Sequence, residues 1–477
     1  MTPLFSPREC RRILSLGIPI FLGALANTGM NFVDTVMAGR YCAEALAAVA
    51  VAASFFVPFV MFVTGCLTAI PGMTAQLVGA GRYRRACHLL RQGIFLSVAM
   101  ACVLIPLLWA CAEHLEDFGV GPDLAPSSRG YLLALLPGLA GALVVGSLRG
   151  FLEGFGRTRP GMVLGGLALL LNIPCNYAFI YGAFGMPELG AVGCGVATSI
   201  CFCFTGLCLI IYIHIDPFFR TLRPLSPHRA DRMPGRGDVG ADTGSPWPLL
   251  DFSLIAFILR VGLPSACSLC VEVFMYTSTA ILLAPLGAVV VAGHQITQSY
   301  SMVPFMIPVA IGATATIIVG QHLGARHLAH ARTAATTTLT LGLGASLVVM
   351  AGTILFREEI AHIYNDNTQV LTVAGTLFLL CGTYQVVDFI QQIAIGILRG
   401  CNDTRTIMLT SILSYAVVGL PLCVILGRTD LIVPAMGATG FWIGYNVSMA
   451  CAAICYLLRL RWLRRQTMGQ IAGRLAQ

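Results

Sequence analysis

Residues 169–200 read LLLNIPCNYAFIYGAFGMPELGAVGCGVATSI. They join the end of one long apolar stretch, 161–184, to the start of another, 190–214, and Pro187, Gly190, Ala191 and Gly193 reappear later as Pro434, Gly437, Ala438 and Gly440. Outward from this segment, apolar stretches of about 20 residues or more recur along nearly the whole chain, each long enough to cross a bilayer as a helix and too long for the strands of a β-barrel. Composition agrees: of 477 residues, 57% are hydrophobic and only 10% charged, so the solvent of this chain is mostly lipid.

The stretches 13–38, 44–70, 89–111, 130–150, 161–184, 190–214, 252–284, 288–318, 332–356, 371–399, 406–427 and 436–460 predict twelve transmembrane helices. The first is too long for a signal peptide and carries Asn27, Asn31 and Asp34, so it reads as a membrane helix with its N-terminus left in the cytoplasm. Short cytoplasmic loops collect basic residues, and here all 29 are arginine. With alternating loops, 25 of the 29 fall on one side, together with both termini. The net charge of +8 is thereby explained as topology and calls for no nucleic-acid partner. The 18 cysteines lie scattered in apolar segments without metal-ligand spacing, and no cofactor is expected.

The stretch 216–250, with six prolines and no apolar periodicity, reads as a flexible cytoplasmic linker between an N-terminal bundle, 1–215, and a C-terminal bundle, 251–477. The bundles repeat each other. Gly17 and Pro19 match Gly262 and Pro264 at a spacing of 245, Thr158 and Arg159 match Thr404 and Arg405 at 246, and Gly190 matches Gly437 at 247. Six helices is an even number, so the repeat is parallel. The expected fold is an all-α polytopic membrane protein of two parallel six-helix bundles around a central cavity, an architecture of transport.

By these assignments only Asp34, Glu272 and Asp388 place a carboxylate well inside a helix. An acid at membrane depth costs about 2.5 to 3.5 kcal/mol on insertion scales, so it faces a wet cavity or an ion path. Asn27, Asn31 and Asp34 fall at i, i+4 and i+7, a polar stripe on one face, and Asn172 and Asn176 stand one turn apart on the fifth helix. In the C-terminal half Tyr384 stands one turn before Asp388, with Gln391 and Gln392 one turn further on. With Glu272 they make a hard-oxygen site able to hold a proton or Na+. Pro19 and Pro264 occupy equivalent places in the leading helix of each half and are candidate hinges.

GMNFVDTVMAG around Asp34, the quoted stretch from Leu169, VEVFMYTSTAILLAPLG around Glu272 and YQVVDFIQQIAIGILRG around Asp388 resemble the NorM-type branch of the multidrug and toxic compound extrusion (MATE) family. That resemblance implies export of organic cations in exchange for Na+ or H+, by a monomer in a bacterial inner membrane. It implies an N-terminal acidic site at Asp34, Asn172 and Asn176 and a cation site at Glu272, Tyr384 and Asp388. An intramembrane aspartyl protease also needs two helical acids, but the Gly-x-Gly-Asp context is missing around Asp34 and Asp388. A lipid-linked sugar flippase should line its cavity with arginine, whereas the intramembrane charges here read as negative.

Overall fold

The computed structural model describes residues 5–225, 249–431 and 434–466. Among them twelve helices are long and apolar enough to cross a membrane. In chain order these are α1 (Pro7–Tyr41), α2 (Ala43–Gly79), α3 (Tyr83–Glu113), α4 (Ala125–Gly154), α5 (Arg159–Tyr181) and α6 (Ala191–Ile215). The second half supplies α7 (Phe252–Leu283), α8 (Ala288–Gly324), α9 (Leu328–Leu355), α10 (Thr368–Gly400), α11 (Thr404–Arg428) and α12 (Ala438–Arg464). Each expected stretch becomes one of these helices. Most run further than the apolar stretch, because backbone bonds continue after the side chains have turned polar. Thus α1 takes in Arg8, Arg11 and Arg12, and α12 runs on to Arg464. Within α11, residues Ile412–Gly419 widen into a π-helical segment.

The duplication is visible in backbone conformation. Positive φ angles occur at Gly81 and Arg326, at Gly156 and Asn402, and at Gly190 and Gly437, pairs separated by 245, 246 and 247 residues. The first two pairs close helices α2, α8, α4 and α10 with the same two bonds. At α2 they run from Gly81 N to Val78 O (3.0 Å) and Arg82 N to Leu77 O (2.9 Å); at α8 they run from Arg326 N to Leu323 O (3.0 Å) and His327 N to His322 O (2.9 Å). This is the left-handed cap that satisfies orphan carbonyls, so the repeat preserves the stops as well as the spans.

Contacts divide the chain into two compact units, Ile18–Ala266 on the one hand and Met1–Gly17 with Cys267–Gln477 on the other. These differ from the expected bundles 1–215 and 251–477, because the first turns of each leading helix belong with the helices of the other half. In the second unit Arg12 donates to Gln321 Oε1 and Glu9 Oε1 lies 3.3 Å from His322 Nε2. In the first, Gly262 of α7 lies so close to Cys66 that an added Cβ would overlap that residue's carbonyl. The chain changes unit within two residues of Pro19 and of Pro264.

The entry to α7 is anchored by polar bonds within its unit. Gln92 of α3 donates to Leu249 O (3.0 Å) and accepts from Asp251 N (3.1 Å), while His88 Nε2 lies 3.3 Å from Asp251 Oδ2. Asp251 Oδ1 accepts from the Ser253 hydroxyl (2.5 Å) and from Leu254 N (3.1 Å), and the Ser253 bond leads in holding this carboxyl below the usual carboxylate range. A group whose folded value is depressed stabilises above its unfolded value, near 3.9, and loses that contribution as pH falls through the folded one. Protection of the Ser253 and Leu254 amides against hydrogen exchange should therefore drop below about pH 4; equal protection at pH 6 and pH 3 would remove the cap's role.

Residues 226–248 of the expected linker lie outside the described residues. Its beginning is ordered, contrary to the expectation of a flexible segment. Pro217–Leu222 forms a short helix capped by Asp216, whose Oδ1 accepts from Phe218 N (3.0 Å) and Phe219 N (3.4 Å). Phe219 is fully buried against Phe151 and Phe155. Two adjacent aromatic residues give no periodic signal, yet they are enough to hold this turn down.

Helices α8 and α10 approach through Gly312 and Gly396, where a Cβ on Gly396 would overlap the Gly312 carbonyl oxygen. Small residues allow this approach where water provides no drive for association. Gly396→Ala should cost about 1–3 kcal/mol of stability, read as a lower melting temperature in detergent. An unchanged melting temperature would show that the close approach is dispensable.

Candidate functional site

In the unit Ile18–Ala266, Asp34 of α1 is buried, and three side chains donate to its carboxylate. Asn172 Nδ2 (3.0 Å) and Asn176 Nδ2 (2.6 Å) of α5 meet Oδ1, and the Thr198 hydroxyl of α6 meets Oδ2 (2.9 Å). Asn176 also donates to Asn172 Oδ1 (3.0 Å), which locks the two amides to one another. Helix α6 reaches α5 because Gly193 rests on the Phe179 carbonyl, where a side chain would collide. Asn27 and Asn31, expected beside Asp34, stand exposed on α1 and make none of these bonds. Helix α5 packs on α1 at the levels of Gly23 and Gly29 as well, but on the face of buried Ala26, Met30 and Asp34, and Asn27 and Asn31 each stand one position off that stripe.

The other unit gathers Glu272 of α7 with Tyr384 and Asp388 of α10, all buried. Gln392 Nε2 donates to Glu272 Oε1 (3.3 Å) and also interacts with the Asp388 carboxyl, so one amide serves both acids. Asp388 Oδ1 is buried with no hydrogen-bond partner. The Tyr384 hydroxyl bonds that of Tyr276 on α7, and Gln391 donates to the Tyr415 hydroxyl from the π-helical segment of α11. A widened turn redirects side chains relative to the rest of a helix and is common at functional sites. Two carboxylates close enough to repel each other, with phenol and amide oxygens around them, suit a proton or a hard cation.

Several of these partners escaped the sequence. Thr198 and Tyr415 stand on helices remote in the chain, and nothing in a sequence sets the phase of one helix against another; Tyr276 stands one turn after Glu272 on α7, a spacing that could have marked it. Contrary to the expectation from sequence, the charges within the spanning helices are not all negative: Arg149 lies in α4, Arg260 in α7 and Arg399 near the end of α10, where its guanidinium interacts electrostatically with Glu272.

The family model MatE matches residues 19–178 and 264–425, about two thirds of the chain, with one segment in each repeat. The chain belongs to the MatE family. It is accordingly a transporter and not an enzyme. Asp34, Asn172 and Asn176 lie in the first matched segment of this MatE protein and Glu272, Tyr384 and Asp388 in the second. The segments begin at Pro19 and Pro264 themselves. Among solved structures it is similar to the eukaryotic MATE transporter AtDTX14, at 19% identity over 98% of both chains and a TM-score of 0.83. It is also similar to an outward-facing multidrug resistance MATE family transporter of the MOP superfamily, at 20% identity over 98% of both chains and 0.82. A third is a MOP superfamily transporter from Pyrococcus furiosus, at 22% identity over 97% of this chain and 98% of that one and 0.80. At such identities the likeness establishes the fold.

Proposed function

We propose that this MatE protein is a secondary active exporter of the NorM type, moving organic cations out of the cell by alternating access in exchange for Na+ or H+. What carries this reading is a single buried acid in one unit and a buried pair in the other, with donors and oxygen ligands around the carboxylates. Such acids take up a cation or proton in one state and release it in another. A lipid-linked sugar flippase would need several arginines facing its cargo, whereas the side chains bonded to Asp34 and Glu272 are amides and a hydroxyl.

Efflux of a cationic dye from proteoliposomes, under a Na+ gradient and a pH gradient imposed separately, tests the reading and identifies the coupling ion. Retention of dye under both gradients would overturn it. The setting proposed is a bacterial inner membrane, with the protein a monomer and both termini and the 216–250 linker in the cytoplasm, because 25 of 29 arginines then lie inside. With the 18 native cysteines replaced, an Arg232→Cys variant should react with an impermeant thiol reagent only after the membrane is opened. Labelling in sealed cells would reverse the topology.

A further inference from the structure

Where α6 ends at Ile215 the chain turns rather than stopping. Asp216 leaves helical backbone (φ −57°, ψ 124°), and the short helix Pro217–Leu222 lies across the ends of α3 and α4 within the unit Ile18–Ala266. Phe219 is its buried side. Phe218, one position before it, is 39% exposed and meets Tyr83 at the start of α3 (6.1 Å between ring centres, 84°) and Phe155 just past α4 (5.7 Å, 71°). Tyr83 is itself 38% exposed, and the Arg157 guanidinium stands over the Phe218 ring at 5.8 Å from its centre.

The charge around these rings is mainly positive. Arg82 and Arg84 flank Tyr83 and are exposed, as is Arg159 at the start of α5, and none of the three makes an ion pair with the described residues. The acids beside them are engaged. Asp216 caps the short helix, accepts from the Tyr212 hydroxyl (3.0 Å) and pairs with Arg157 at 3.3 Å, while Glu153 accepts from Arg149 Nε at 2.8 Å. Membrane topology alone accounts for arginines at these helix ends but not for the exposed rings. The second repeat shows the difference. At the positions equivalent to Arg82, Tyr83, Phe155 and Arg157 it carries His327, Leu328, Cys401 and Asp403, and Asp403 is paired with Arg459 at 2.7 Å.

We propose that this surface of the first repeat binds the headgroup of an anionic phospholipid, its phosphate between Arg82 and Arg157 and its glycerol end against Phe218 and Tyr83. Guanidinium groups hold phosphate through a planar fork of donors, aromatic rings settle at headgroup depth, and basic surfaces between spanning helices recognise anionic lipid. The inference concerns the lipid rather than the cargo, and holds whether or not the protein exports organic cations.

Titration of the purified full-length protein, in micelles of an uncharged detergent, with dioleoylphosphatidylglycerol tests this, bound lipid being counted by native mass spectrometry. Phosphatidylglycerol should bind about tenfold more tightly than dioleoylphosphatidylcholine, whose phosphate is balanced by its own ammonium. Arg82→Gln combined with Arg157→Gln should cut that affinity about ten- to thirtyfold, whereas lysine at both positions keeps the charge and should retain most of it. Removing equal charge from the other unit, with Arg326→Gln and Arg405→Gln, should leave the affinity unchanged. Melting curves confirm that each variant is folded; should the Arg157 change release Asp216 and disturb the fold, Arg82→Gln alone should still cost about fivefold. A large excess of glycerol 3-phosphate should not displace the lipid. The proposal fails if phosphatidylcholine binds as tightly as phosphatidylglycerol, or if the Arg82 and Arg157 variants bind like the wild type. It fails equally if the Arg326 and Arg405 pair loses as much affinity, which leaves only diffuse charge, or if glycerol 3-phosphate displaces the lipid, which makes this a site for free phosphate.

Discussion

Asp388→Asn and Glu272→Gln are each expected to reduce gradient-driven efflux to the level of empty liposomes, with the protein still folded and inserted. Each replacement keeps the size of the side chain and removes the charge. The Gln392 amide can still donate to the remaining oxygen of either residue, so no donor is stranded. Removing one of two mutually repelling acids also relieves part of a burial cost of about 2.5 to 3.5 kcal/mol, so melting temperature should hold or rise. What disappears is the second carboxylate needed to bind and release the coupling ion as a pair. Concentrative efflux at the wild-type rate in either variant would show that the coupling site lies elsewhere.

Asp34→Asn should have an effect of similar size on transport and a different one on binding. The carbonyl oxygen of the new side-chain amide would still accept from Asn172 and Asn176, and its nitrogen could donate to a Thr198 hydroxyl that turns round to accept. The polar cage therefore survives without its charge. Equilibrium binding of a cationic dye should weaken at least tenfold, by roughly the 1.4 kcal/mol that tenfold represents. By contrast, Asp34→Ala leaves the asparagine donors buried and unmatched, which should cost about 1–3 kcal/mol of stability. Pro19 lies fifteen residues away, about 22 Å along the helix, so Pro19→Ala should keep dye binding and slow turnover if α1 bends there. Normal binding and export by Asp34→Asn would make the acid structural, and normal turnover by Pro19→Ala would remove the hinge.

Most of the fold was legible because lipid makes sequence unusually plain. A span must be long and apolar, so the twelve stretches appear with little ambiguity, and the prolines, glycines and Thr-Arg pairs fix the period of the repeat. The acids were legible for the same reason: Asp34, Glu272 and Asp388 are costly in their surroundings and stand out. Their partners were less so. Thr198 and Tyr276 are ordinary residues in a membrane helix, and only the packing of α6 on α5, or the bond from α7 to α10, gives them a role. Asn27 and Asn31 show the converse, since each stands one position off the stripe of Ala26, Met30 and Asp34 that α1 buries, and a sequence does not say which edge of a polar face is covered.

The exchange of leading helical turns between the two units sets an order of completion during synthesis. Domains assemble as units while the chain emerges N-terminus first. Residues 1–17 are made first yet belong to the unit that is made last, while Ile18–Ala266 is not whole until the chain has passed the linker and begun its second half. A polypeptide ending within the linker would therefore lack the α7 turns that its helices need, and the separate second half would lack the turns of α1. Two half-chains translated independently could restore the protein only by trading these ends, so the reading frame across the linker ties the assembly of one unit to that of the other.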